Sequence, residues 1–209
     1  YRPLVDMVLK VYPQIQSLSN DELRARTQAI RQGIQDSAAD LRQQPLESAR
    51  RNAARYGVAS RMAFYLSDGA ADIPRDFDTL VCAGMGGDTM VSILSAAPWL
   101  QGGNYRLILQ CQSKTPLLRR YLSENGWEIH REKAVRDGRF LYTVMEVLWN
   151  PQAPRLTAGQ WYFSPALRDC MAPETHEYYR WVVDGLKLAF QHRPGAENQQ
   201  ALAELEERK

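Results

Sequence analysis

Phe77-Asp78-Thr79-Leu80-Val81-Cys82-Ala83-Gly84-Met85-Gly86-Gly87 is the stretch that decides the reading of this 209-residue chain. An apolar run that breaks into glycines just before a helix is how an open α/β sheet forms a ligand crevice at the carboxyl ends of its strands. Only backbone without side chains can approach a ligand closely there. The break is not GxGxxG, because Thr89 takes the place of the last glycine, and the chain has no GxxxxGK[ST] run. Asp88 at the start of the following helix would repel a phosphate, which weighs further against a dinucleotide. The plainer alternative is a tight strand-to-helix turn that holds nothing.

Outward from that stretch the pattern alternates strand and helix. Arg61–Leu66 reads as a short strand closed by Ser67-Asp68-Gly69, and Phe77–Ala83 as a second. A helix follows over Asp88–Ala97, and Tyr105–Gln110 is a third strand. Thr115 caps the next helix, with Pro116 in its first position and Gly126 at its end. Trp127–Val135 and Arg139–Trp149 are two strands joined through Asp137-Gly138, a strong hairpin signal. Upstream, residues 4–36 read as two helices, the second opened by a capping box of Ser19 and Glu22. Pro45 begins a further helix, with Leu46, Ala49, Ala53 and Tyr56 as its apolar stripe and Gly57 as its stop. Pro151–Thr157 is a linker. Beyond it Tyr179, Val182, Val183, Leu186 and Phe190 share one helical face, and Leu202 and Leu205 belong to a second helix after Pro194-Gly195. The tail is thus a helical hairpin.

Bulk composition narrows the class without naming it. A hydrophobic content of 44% and a charged content of 24% are those of a globular protein. No apolar run approaches the ~20 residues needed to span a bilayer, and no basic-then-apolar leader opens the chain. The first residue is Tyr1 rather than Met, as in a fragment. Cys82, Cys111 and Cys170 are widely spaced among apolar neighbours, which suits reduced, buried thiols in a cytoplasmic protein. Neither they nor His130, His176 and His192 have metal-ligand spacing. Between Arg24 and Arg61 lie eight arginines against Asp36, Asp40 and Glu47. Such a stretch can meet phosphate, although arginines on helices are more often a solvated face.

Strand–helix units that end in an antiparallel hairpin resemble the class I, Rossmann-like sheet of S-adenosylmethionine (SAM) methyltransferases. Asp40-Leu41, Pro45-Leu46-Glu47-Ser48-Ala49-Arg50-Arg51-Asn52, Ala54-Arg55-Tyr56-Gly57 and Asp68-Gly69 together resemble the bacterial tRNA (adenine-N1)-methyltransferase family TrmK. So do Ala83-Gly84-Met85-Gly86-Gly87 paired with Leu107-Ile108-Leu109-Gln110, and the segment after Phe163-Ser164-Pro165. The resemblance covers about residues 40–209. It implies an α/β fold with a closing helical arm, and a cytoplasmic enzyme of tRNA processing. That enzyme would move a methyl group from SAM to N1 of a D-arm adenine, adenine-22, in tRNA. It further implies cofactor contacts by Asp40, Asp68, Gly69, Ala83, Gly84 and Gly87, and Gly84, Met85, Gly86 and Gln110 at the meeting point of methyl and base. Tyr178, Arg180, Trp181 and Lys187 on the arm would hold tRNA. No metal and no membrane is implied.

Two departures bear on activity. Ser67 stands where the family has a glycine, and Cys111-Gln112 replaces its proline–asparagine pair. Before Asp40 the family has a strand and a D-I-G-[ST]-D-H loop that cradles the methionine end of SAM, and this chain has neither. Instead Val11-Tyr12-Pro13, the run Ser19-Asn20-Asp21-Glu22-Leu23-Arg24-Ala25-Arg26-Thr27 and Ile34-Gln35-Asp36-Ser37 resemble the amino-terminal helical region of SecA translocase ATPases. Three segments are therefore expected: 1–38 SecA-like, 39–150 a Rossmann-like domain lacking its first strands, and 151–209 the arm. The strand ending at Gly84 should then have an open inner edge. The rival readings are a catalytically incomplete tRNA-binding domain and a SecA-derived secretion module.

Overall fold

The computed structural model describes Gln28 and residues 44–102, 104–192 and 195–207. Apart from Gln28, the helices expected over 4–36 lie outside the described residues, as does Asp40. The chain divides into two units, Tyr1–Leu66 and Ser67–Lys209.

In the first unit, residues 44–55 form helix α1. Gly57, at φ +69°, closes it: Val58 N–H reaches back to the Ala53 carbonyl at 2.9 Å and Gly57 N–H to Ala54 at 3.1 Å. That is the double bond of a left-handed C-terminal cap. Of the expected apolar stripe only Ala53 is buried, and Tyr56 is 73% exposed. A short 3-10 turn, Ala59–Arg61, follows. Residues 62–66 are in no regular structure, where a strand was expected. Apolar composition does not make a strand without a neighbour to share its ladder, and among the described residues of this unit there is no strand.

The second unit is built on a four-stranded sheet of order β1-β2-β4-β3. Its strands are β1 (Thr79–Gly86), β2 (Arg106–Ser113), β3 (Trp127–Asp137) and β4 (Phe140–Trp149). β1 and β2 run parallel, joined by helix α2 (Gly87–Ser95). Helix α3 (Thr115–Glu124) leads from β2 to the antiparallel β3–β4 pair, and β4 inserts antiparallel to β2. The α/β class and terminal hairpin are as the sequence indicates. Asp137 pairs with Phe140, so the turn is the two-residue loop Gly138-Arg139, with Gly138 at φ +55°. Thr115 is the first residue of α3 rather than its cap. Lys114 holds the cap position in the left-handed region, at φ 57°, without a side-chain capping bond.

Period-2 burial of Leu107, Leu109 and Cys111 turns one face of β2 onto a core shared with Met90 and Leu94 of α2 and Leu118 and Leu122 of α3. The base of that core is closed by Phe77, Trp99 and Tyr105, with ring centroids 5.2–6.0 Å apart. Phe77 and Tyr105 are occupied in this cluster, so β1 and β2 begin after them. Among the described residues β1 has a strand partner on one side only, and its Val81 is 66% exposed.

After β4 the chain forms two short helices, α4 (Ala158–Tyr162) and α5 (Pro165–Arg168), then the long pair α6 (Pro173–His192) and α7 (Ala196–Glu206). They enclose a second core of Leu167, Tyr178, Val182, Leu186, Ala201 and Leu205. Arg119 of α3, fully buried, ties this arm to the sheet. Its Nη2 lies 2.7 Å from Glu132 Oε1 on β3, and its Nε donates to both Glu132 oxygens at 3.2 Å. Its Nη1 donates to the Trp161 and Tyr162 carbonyls at 2.8 Å. Ser164 Oγ donates to Glu132 and accepts from Leu167 N–H. Burial alone would lower the Arg119 pKa, but the facing Glu132 carboxylate and Tyr178 drive it above its ordinary value.

Breaking this pair from one side strands a buried charge, at a cost of about 3–5 kcal/mol. Arg119→Met and Glu132→Leu should each lower the urea-unfolding stability by that amount, and the double variant should recover most of it. Single variants that unfold at the unaltered midpoint would contradict this account of the join.

Candidate functional site

The carboxyl end of β1 does not simply stop and turn. Ala83 pairs with Gln110 and Met85 with Cys111, which leaves Gly84 out of the register as a bulge. Gly84 has φ +78°, a conformation that L side chains resist. Its N–H donates to Gln110 Oε1 at 2.8 Å, so the adjacent strand's side chain locks the bend. Among the described residues, a Cβ at Gly84 would meet nothing within 4 Å except Gln112 Nε2 at 3.9 Å, so they leave the space over Gly84 open.

Gly86 and Gly87 are glycines for the opposite reason. A Cβ at Gly87 would stand 2.5 Å from the Lys114 carbonyl oxygen, and one at Gly86 would stand 2.7 Å from Asp88 Oδ1. Their absent side chains let the first turn of α2 lie against the β2–α3 connection. Lys114 Nζ clamps that junction through Asp88 Oδ2 at 2.7 Å. The hydrogen bond from Lys114 holds the Asp88 carboxyl below its usual pKa. The carboxylate is therefore ionised at neutral pH, and the clamp is lost only as pH falls through that depressed value.

The expected site residues divide into three groups. Ala83, Gly84, Gly86, Gly87 and Gln110 converge at the end of the β1–β2 pair. Met85 is there too, but its side chain packs on the core beside Cys82, Sγ to Sδ 3.9 Å, so only its backbone faces the crevice. Asp68 and Gly69 lie on the flank of α2. A Cβ at Gly69 would sit 3.0 Å from Ile93 Cγ1, and Ala70 is buried with Met90 and Leu94. Asp68 itself is exposed, in a bend where Ser67 Oγ accepts from Asp72 N–H at 3.0 Å. Gly69 thus packs on the last turn of α2, the helix whose first turn follows the glycine bend.

On the arm, Arg180 is exposed and Trp181 is 61% exposed. Tyr178 is a correction: it is buried, with its hydroxyl 3.5 Å from Arg119 Nη2, and has no ring face for a stacked base. Lys187 spends its charge on Glu206 at 2.8 Å, and that contact raises its pKa.

Sequence reading missed Gln112, Ser113 and Lys114. They line a cavity of about 300 Å³ at the end of β2, bounded by Thr143, Tyr162 and Trp181. The signal available for them was the Cys111-Gln112 departure itself, since alternation along β2 buries Cys111 and turns Gln112 outward.

The chain matches the family described as Methyltransferase domain over residues 27–145. An α/β sheet with an open glycine bend at its carboxyl edge is the architecture of that class, and the chain belongs to the methyltransferase domain family. Over 114 residues it is 35% identical to a provisionally named tRNA methyltransferase of Mycoplasma pneumoniae, covering 52% of this chain and 51% of that protein. It thus spans about half the length of this curated relative. A stretch of 42 residues, 20% of the chain, is 57% identical to the translocase subunit SecA of Parabacteroides distasonis and covers 4% of it. Among solved structures, a provisionally assigned tRNA (m1A22) methyltransferase of Streptococcus pneumoniae in complex with S-adenosyl-L-methionine superposes with a TM-score of 0.65. It is 24% identical, with 78% of this chain and 76% of that one covered. The fold is therefore the same.

The glycine roles separate in a stability series read by thermal unfolding. Gly87→Ala forces a backbone clash and should cost about 1–3 kcal/mol. Gly84→Ala should cost about 1–2 kcal/mol through φ alone. Gly185→Ala, inside α6 with nothing near its Cβ position, should gain up to about 1 kcal/mol. Equal effects at the three positions would refute the division.

Proposed function

We propose that the chain is a SAM-dependent methyltransferase acting on N1 of a D-arm adenine, adenine-22, of tRNA in the cytoplasm. The observation that carries this reading is the open space over Gly84, locked by Gln110 at the end of a parallel strand pair in a methyltransferase domain. The names of the Mycoplasma and Streptococcus proteins support the substrate, and the ligand of the Streptococcus structure supports the cofactor.

The residues present fit such a group. Gly84 leaves room where any other residue would put a Cβ, and Asp68 offers an exposed carboxylate beside the helix that carries the bend. Asp68 and Gly69 would hold the adenine end, Asp40 the ribose, and Ala83, Gly84 and Gly87 the methyl end. When bound, SAM supplies a sulfonium methyl group open to in-line displacement. Neutral adenine N1 already carries a lone pair, so the residues need not remove a proton. Their task is alignment, and tolerance of the positive charge that moves onto the base. Gln110 is a positioning residue, acting through Gly84. Asp88 pairs with Lys114 at the joint beside the bend. Arg180 and Trp181 on the arm are placed to meet tRNA.

A second reading is a tRNA-binding domain without turnover, favoured by a β1 edge that has no second strand partner among the described residues and by its exposed Val81. Calorimetric titration of the chain with SAM, followed by methyl transfer to an unmodified tRNA transcript, separates the two. Saturable heat that Asp68→Ala weakens, with label recovered as 1-methyladenosine, is the expected result. Silence towards SAM with retained tRNA affinity would select the second reading, and loss of both would end each.

A further inference from the structure

Beside the β3–β4 turn lies a groove of about 600 Å³ whose walls include Gln112, Arg139, Phe140, Arg180 and Trp181. Gln112 also lines the cavity at the end of β2, and its Nε2 is the atom nearest the open space over Gly84. One side chain therefore borders the groove, the cavity and the glycine bend.

Two rings in this groove are left in water, Phe140 at 50% and Trp181 at 61% exposed. Each is backed by a second ring: Tyr142 lies 6.1 Å from Phe140, and Tyr178 lies 5.6 Å from Trp181. The outer rings are held in place with half or more of their surface in water. The Arg139 guanidinium lies over Phe140 at 4.9 Å, and Arg180 is exposed. Acidic groups also face the groove. Glu177 is engaged by Arg136, whose hydrogen bond lowers its pKa, and Asp184 acts on Lys187 of the same helix. Arg180 adds to the lowering at Glu177 from further off and Arg139 lies over a ring, so both guanidinium groups border the groove as exposed cations. Exposed rings combined with guanidinium groups fit RNA, in which bases and phosphates alternate.

We propose that this groove holds an unstacked nucleobase of single-stranded RNA, from the nucleotide adjacent to the methyl acceptor. The base stacks on Trp181 and Phe140, Arg139 and Arg180 take the flanking phosphates, and Gln112 contacts the base edge between groove and glycine bend. This rests on the tRNA methyltransferase reading and extends it to the hairpin, which sequence alone did not implicate.

Fluorescence anisotropy of the full chain with a labelled unmodified tRNA transcript, and with a short adenine-rich RNA, tests it. Base–aromatic stacking sets the scale, so Trp181→Ala and Phe140→Ala should each weaken binding about 5- to 100-fold. Trp181→Phe should restore most of the loss. Trp181→Leu and Phe140→Leu keep apolar bulk without the flat face, and must show the same loss with an unaltered melting midpoint. Affinity unchanged in these variants overturns the groove, as does failure of the unaltered chain to bind either RNA. Competition by inorganic polyphosphate or polyglutamate as strong as by RNA also overturns it, since these carry charge without bases. SAM titration stands apart from these outcomes. Heat with SAM but variant-insensitive RNA binding removes the groove alone. Variant-sensitive RNA binding without SAM affinity supports the groove and removes the methyl-transfer reading.

Discussion

Arg119 is the residue on which the arrangement of the second unit depends. A guanidinium has five N–H donors in a fixed plane, and here they meet Glu132, the carbonyls of Trp161 and Tyr162, and the Tyr178 hydroxyl. Those partners come from β3, the end of α4 and α6. One side chain on the central helix therefore sets where the arm leaves the sheet and how its long helix lies against it. Removing two charges from water offsets most of their attraction, so such a pair contributes more to a unique geometry than to net stability. The groove wall carrying Trp181 inherits its position from this contact, because Tyr178 packs against both Arg119 and Trp181.

The legible parts of the fold were those in which a local rule suffices. Gly57 ends α1, Pro116 sits in the first turn of α3, and the Asp137-Gly138 signal joins two strands. What escaped the sequence was decided by phase. Tyr178 and Tyr179 precede Val182 by four and three residues, and either spacing makes a helical stripe. Packing used both: Thr175, Tyr178, Val182, Val183 and Leu186 are buried and Tyr179 packs partly against the same core, which carried Tyr178 from surface to core. Glu132 has a similar origin. Strict alternation from buried Trp127 would turn it outward, but the register shift between Ile129 and Arg131 flips the later residues, and a bulge is invisible to a period-2 reading. A charged residue on an ordinary helix, as Arg119 looks in sequence, gives no sign that its partner has been turned to face it.

At the site, the sequence showed that glycines were needed but not that they serve two different constraints. Gly84 keeps space open, whereas Gly86 and Gly87 allow protein to fill it. The same run therefore forms a crevice and, one turn later, a close-packed joint between α2 and the start of α3. A close-packed joint fixes the opening beside it, and alignment is most of what a methyl transfer requires from surrounding residues.

The Cys111-Gln112 departure can be followed through the backbone. Cys111 pairs with Met85 on one side and Thr143 on the other, and a proline there would remove an N–H from the middle of the ladder. With cysteine, β2 continues to Ser113, and the buried thiol donates to the Ser113 carbonyl at 2.8 Å. Period-2 geometry then puts Gln110 and Gln112 on the same face of the strand. The first amide fixes the Gly84 bend and the second stands over its opening. Cysteine at 111 keeps its N–H in the ladder, and the strand extends far enough for a second glutamine to connect the bend with the ring-lined groove.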